Sequence, residues 1–122
     1  MPQPGKSSIV SHELVKSTKS WDGDTLPAYP KGQPEISIRR IIIPAGAKLE
    51  THLHLVINAG VLLSGELTVV KVDGPTLHLK AGDPIVELVN KRHHAINEGK
   101  VPAEIVVVYA GVVGAQPTVL KP

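Results

Sequence analysis

Apolar residues in this chain come in short runs that close on glycine or proline about every ten residues, and none recurs at the three-to-four-residue interval of an amphipathic helix. EISIRRIII (35–43) stops at PAGA, and VLLSGELTVVKV (61–72) stops at Asp73-Gly74-Pro75. TLHLK (76–80) stops at AGDP, and IVELVN (85–90) and AEIVVVYAGVV (103–113) follow. Valine and isoleucine dominate these runs, and β-branched side chains suit a pleated, half-buried surface. The spacing predicts an all-β sandwich or barrel. At the N-terminus SSIVSHELVKS (7–17) reads as an edge strand, WDGDTLPAYPKGQP (21–34) as a Pro/Gly-rich loop, and the tail GAQPTVLKP (114–122) as irregular. The expected organisation is one domain over 1–122, with an N-terminal strand and loop region over 1–34, a barrel core over 35–113 and a tail over 114–122.

Composition narrows the possible partners. The net charge is +2 with histidines neutral, and the tightest basic cluster is KRHH at 91–94. Trp21, Tyr29 and Tyr109 are the whole aromatic complement, so neither a basic stripe nor stacking platforms for nucleic acid are expected. No apolar run reaches the length of a membrane-spanning helix, which argues against a membrane partner. No basic start precedes an apolar block at the N-terminus, so no signal peptide is expected. The absence of cysteine excludes disulfides and thiolate ligands and fits a cytoplasmic protein.

The candidate chemistry lies in ETHLHLVINAG (50–60). On a strand, His52 and His54 point the same way, about 6–7 Å apart. Two imidazoles aimed at one volume are either a polar strand face or half of a metal site. Gly46 precedes the pair by five intervening residues, Asn58 and Gly65 follow it, and further on come Gly82, Asn90, His93 and Asn97. In order and spacing these positions resemble the two motifs of the cupin superfamily. The first is Gly, five residues, His-x-His, three or four residues, Glu, six residues, Gly. The second is Gly, five residues, Pro-x-Gly, two residues, His, three residues, Asn. Gly46, His52, His54 and Gly65 fit the first, with Asn58 in the glutamate place. Gly82, His93 and Asn97 fit the second, with Leu88 and Asn90 in place of its proline and glycine.

The resemblance implies a single-domain cupin barrel of the double-stranded β-helix or jelly-roll type. It implies one divalent transition metal, held by His52, His54 and His93 with Asn58 in the fourth ligand place. A neutral nitrogen set of this kind suits Fe, Ni, Zn or Cu. It further implies a small-molecule substrate or ligand, a homodimer, and metal-dependent chemistry of the dioxygenase type. An isomerase or lyase, a non-catalytic ligand-binding or regulatory protein, and a purely structural metal remain alternatives, because fold does not fix function. Around the metal, Glu50 shares parity with the histidine pair, either as an acid or base or as a solvent-facing carboxylate. One of Arg39 and Arg40 must face inwards, where it would hold an anionic substrate or close a salt bridge at the rim, and Arg40 is the candidate. His94 is read as outward, His12 and His78 as surface histidines, and Asn97 as a turn-stabilising amide. Trp21 is read as loop packing, and Glu66 and Glu87 as structural or exposed.

Overall fold

The computed structural model describes residues 8–121. It contains nine strands, and no helix occurs among the described residues. In chain order they are β1 (Pro34–Ile43), β2 (Lys48–His54), β3 (Ile57–Ser64), β4 (Glu66–Lys71), β5 (Thr76–Lys80), β6 (Pro84–Val86), β7 (His93–Ile96), β8 (Ala103–Val112) and β9 (Thr118–Leu120). All pairings are antiparallel and form two sheets, in the orders β1-β8-β3-β6 and β5-β4-β7-β2-β9. Consecutive strands mostly lie in opposite sheets, which is the jelly-roll way of wrapping one chain around a shared interior.

The interior follows from strand parity. On β1, Arg39, Ile41 and Ile43 face inwards, while Ile36, Ile38, Arg40 and Ile42 lie on the outer face. Val56, Leu62, Leu67, Val69, Leu79, Ile85, Ala95, Ala103, Ile105 and Val107 complete the aliphatic core. With no phenylalanine in the chain, these side chains line the space between the sheets without filling it. A cavity of about 510 Å³ remains.

Several expected elements differ from those observed. Residues 8–17 form no strand, and Ser7 lies outside the described residues. The apolar residues there come as adjacent pairs, Ile9-Val10 and Leu14-Val15, so half of each pair would face away from any sheet, and all four are exposed. The run 61–72 is two strands, because Gly65 between them adopts a φ of +77°. A Cβ there would sit 2.5 Å from the carbonyl oxygen of Pro102, so the sharp crossing needs glycine. The run 85–90 is a strand only as far as Val86, beyond which the chain turns through Asn90 at a φ of +59°. Asparagine tolerates that left-handed conformation better than most residues, which explains how it stands in the motif's glycine place. The tail is not wholly irregular, since β9 pairs with β2; Pro122 lies outside the described residues.

Candidate metal centre

The site is a product of strand register. β2 and β7 are neighbours, and His52 lies directly opposite His93. His54, two residues further along β2, projects from the same face and lies opposite Thr118 of β9. The three rings converge, with centroids 4.4 Å apart for His52–His93, 4.9 Å for His54–His93 and 5.0 Å for His52–His54. One nitrogen from each lies within 4.8 Å of the other two, a spacing that can hold a metal ion. All three residues are buried, whereas His94 is only partly buried, as alternation requires of the neighbour of an inward residue.

Each ring is fixed through its other nitrogen. His52 Nδ1 donates to the Glu50 carbonyl at 2.6 Å, and His93 Nδ1 donates to the Lys91 carbonyl at 2.8 Å. His54 Nδ1 lies 2.9 Å from Thr118 Oγ1. A carbonyl can only accept, so it holds the proton of His52 and His93 on Nδ1 and leaves the Nε2 lone pair for a ligand. Among the described residues His93 Nε2 is buried with no hydrogen-bond partner. A buried acceptor with nothing to accept from is costly, and with one nitrogen each of His52 and His54 it completes a set that could hold a metal ion.

Burial holds all three imidazoles below their ordinary titration range, with His54 pushed down to about 3 by burial and then by the charges of His93 and His52. They are therefore neutral at pH 7 and bind a cation without first losing a proton. In chelator-treated protein the same shift makes the fold acid-sensitive. As pH falls through about 6.5 the unfolded chain takes up protons on these histidines while the folded chain does not, so stability present above that pH is progressively lost on the way to 3. At pH 5 the loss from His54 alone is about 2 kcal/mol. Burial raises the carboxyl of Glu87, which opposes part of the trend from the folded side. The expected result is a melting temperature that drops by several degrees between pH 7.5 and pH 5, measured by calorimetry. A flat profile would show that the cluster is not buried neutral.

The remaining sequence candidates distribute as follows. Asn58 is buried opposite Tyr109 in the β3–β8 ladder; its amide nitrogen donates to the Val56 carbonyl at 3.0 Å and its Oδ1 has no partner among the described residues. It is not among the residues lining the cavity, whereas Glu50 is. Arg40 faces outwards and pairs with Glu104, so parity gives the inward place to Arg39, which lines the cavity. Among the described residues the Arg39 side chain has no ion-pair partner. His12 and His78 are exposed and stand apart from the cluster.

Three lining residues were not singled out as site residues from sequence. Tyr109 shares parity with Ile105 and Val107 and brings its ring within 5.7 Å of His54. Thr118 comes from the tail, where nothing local marks a strand. Glu87 sits two residues beyond buried Ile85 on the same face, a parity signal present in the sequence. Its Oε2 is 3.7 Å from His93 Nε2 and 3.9 Å from His54 Nε2.

A jelly roll with three inward imidazoles lining an open cavity defines a small all-β domain with a possible metal site. Residues 39–109 match the cupin domain family, and the chain belongs to that family. The structure is similar to that of an oxalate oxidase in complex with the substrate analogue glycolate, with 24% identity and a TM-score of 0.62 over 71% of this chain and 46% of that one. It is also similar to a conserved protein with a double-stranded β-helix domain from Klebsiella pneumoniae subsp. pneumoniae, at 23% identity and TM-score 0.62 over 78% and 90% of the two chains. The DMSP lyase DddQ from Ruegeria pomeroyi is 21% identical with a TM-score of 0.62, covering 70% of this chain and 43% of its own. This chain thus spans less than half the length of the oxidase and the lyase, and at these identities the likeness is one of fold. No protein of curated function matches the sequence significantly.

Proposed function

We propose that this cupin binds one divalent transition metal through His52, His54 and His93 and uses it on a small organic molecule held in the cavity. The observation that carries this reading is the buried, unpaired Nε2 of His93 facing two further imidazoles. Three neutral nitrogens favour Fe, Ni, Zn or Cu over Mg or Ca. When bound, such an ion supplies a Lewis acid that polarises a coordinated oxygen.

The chain's own groups indicate what the substrate looks like. The cavity walls are mostly aliphatic, from Ile41, Leu49, Val69, Ile105 and Val107, and they suit an apolar body. Arg39 offers a forked donor to a carboxylate or enolate oxygen. Tyr109, whose phenol burial pushes up, stays protonated at the cavity wall beside Thr118, and Glu50 places a carboxylate at the exposed edge of the cavity near the pair it precedes. Dioxygenase-like chemistry on a compact, oxygen-bearing acid or diketone is the reading these groups support best.

The test is metal analysis of protein purified without chelators, followed by oxygen uptake of the iron-loaded form with catechols, flavonols and diketones. About one equivalent of metal with uptake on part of the panel is expected. Protein that carries no metal and takes up none would end the proposal, and one equivalent without oxygen uptake would leave an isomerase, a lyase or a binding protein.

A further inference from the structure

The first cupin motif ordinarily carries a glutamate between its histidine pair and its closing glycine, and here that position is Asn58. We propose that Glu87, a residue of the second motif's segment, supplies the carboxylate ligand that the first motif lacks. This assignment rests on the three-histidine reading above and extends it.

The geometry separates the two oxygens of Glu87. Oε1 is held at 3.0 Å by the indole Nε1 of Trp21 and at 3.0 Å by the backbone N–H of Leu88. Oε2 has neither partner and is directed at the imidazoles, 3.7 Å from His93 Nε2 and 3.9 Å from His54 Nε2. These separations are too long for hydrogen bonds. They suit two donors on one ion, because bonds of about 2.0–2.2 Å place neighbouring ligand atoms about 3 Å apart and opposite ones at most about 4.4 Å apart. The three histidine nitrogens lie within 4.8 Å of one another and Glu87 stands just outside that set, so metal binding draws its Oε2 in towards them.

The scaffold around Glu87 is built to hold it still. Ser20 Oγ donates to the Glu87 carbonyl at 2.9 Å, the Trp21 N–H donates to the Val86 carbonyl at 2.9 Å, and the Glu87 N–H donates to the Asn58 carbonyl at 2.9 Å. The Ser20–Trp21 turn is itself anchored by Asp22, whose almost fully enclosed carboxylate accepts from Lys71 at 2.9 Å and from Lys91 at 3.0 Å. Trp21 is thus a positioning residue, acting on the site through Glu87. A carboxylate would also change the charge of the set, from three neutral donors to three neutral donors and one anion, and so strengthen its hold on a dication.

Trp21 is the only tryptophan in the chain, so its fluorescence reports on the Glu87 end of the site. The experiment titrates metal-free protein with Co(II), following visible absorption and tryptophan emission in wild type, Glu87→Gln and Asn58→Ala. Glutamine keeps an oxygen for Trp21 and Leu88, and so preserves the fold while removing the charge. Wild type is expected to take up one equivalent with quenched emission. Glu87→Gln should bind at least tenfold more weakly and show a changed d–d spectrum, while Asn58→Ala keeps the wild-type spectrum. Equal affinity and an unchanged spectrum in Glu87→Gln overturn the assignment while leaving the three histidines in place. A changed spectrum in Asn58→Ala alone returns the fourth position to Asn58. Wild type that binds no cobalt overturns the metal reading itself, and this assignment with it.

Discussion

Alanine at position 93 should weaken metal binding by more than about a hundredfold, while alanine at position 94 should leave it within about threefold. Losing a group that merely orients a metal ligand typically costs ten- to a hundredfold in affinity, so losing a ligand of a three-imidazole set must cost at least the upper end of that range. His93 is buried at 1% exposure and lies opposite His52 in the β2–β7 ladder, whereas its neighbour faces the other way. The adjacent pair therefore tests both the ligand assignment and the strand parity behind it. Competition with a chromophoric chelator measures the affinities, and circular dichroism checks that both variants fold. Equal losses at 93 and 94, or none at 93, would remove the second strand's contribution to the site.

Alanine at position 97 should destabilise the fold by about 3–5 kcal/mol, lowering the melting temperature on the order of 10–20 °C. Asn97 is fully buried and spends its whole amide on the backbone. It donates to the Ile43 carbonyl at 3.0 Å and the Val101 carbonyl at 2.8 Å, and it accepts from the Gly99 N–H at 2.9 Å. One side chain thereby ties the end of β1 to the turn that leads into β8. Alanine would leave three backbone groups without this partner, the Ile43 carbonyl in the buried interior and the Val101 carbonyl and Gly99 N–H half-buried, each costing about 1–3 kcal/mol. Aspartate would be no remedy, because it would set a carboxylate against two carbonyl oxygens. Thermal unfolding monitored by circular dichroism decides it, and a shift of only a degree or two would mean that water replaces the amide.

Much of this architecture was legible in the sequence because period-two alternation and glycine positions are local signals. His52 and His54 share a face by parity alone, and the motif spacing selected His93 over His94, whose burials in the fold differ accordingly. The resemblance also anticipated an all-β jelly roll, which the two antiparallel sheets display. What local signals could not supply was pairing between distant segments. That Thr118 would meet His54 depends on a three-residue strand in the tail, too short to announce itself. That Trp21 would reach Glu87 depends on a contact across 66 residues of sequence. Arg40 was the arginine expected to face inwards, and the structure reverses the choice: Arg39 lines the cavity, while Arg40 lies on the outer face of β1 and pairs with Glu104. Glu87 was passed over because a lone glutamate in a short apolar run resembles a surface residue, although its parity with Ile85 placed it inside.

The account depends on imidazoles from β2 and β7 sharing one ion. Anomalous diffraction at the absorption edge of the bound metal, from crystals grown with Co(II) or Zn(II), tests this directly. The expected result is a single strong peak within about 2.0–2.3 Å of one nitrogen each of His52, His54 and His93. A peak bound elsewhere on the chain, or one touching residues of β2 without His93, would contradict it.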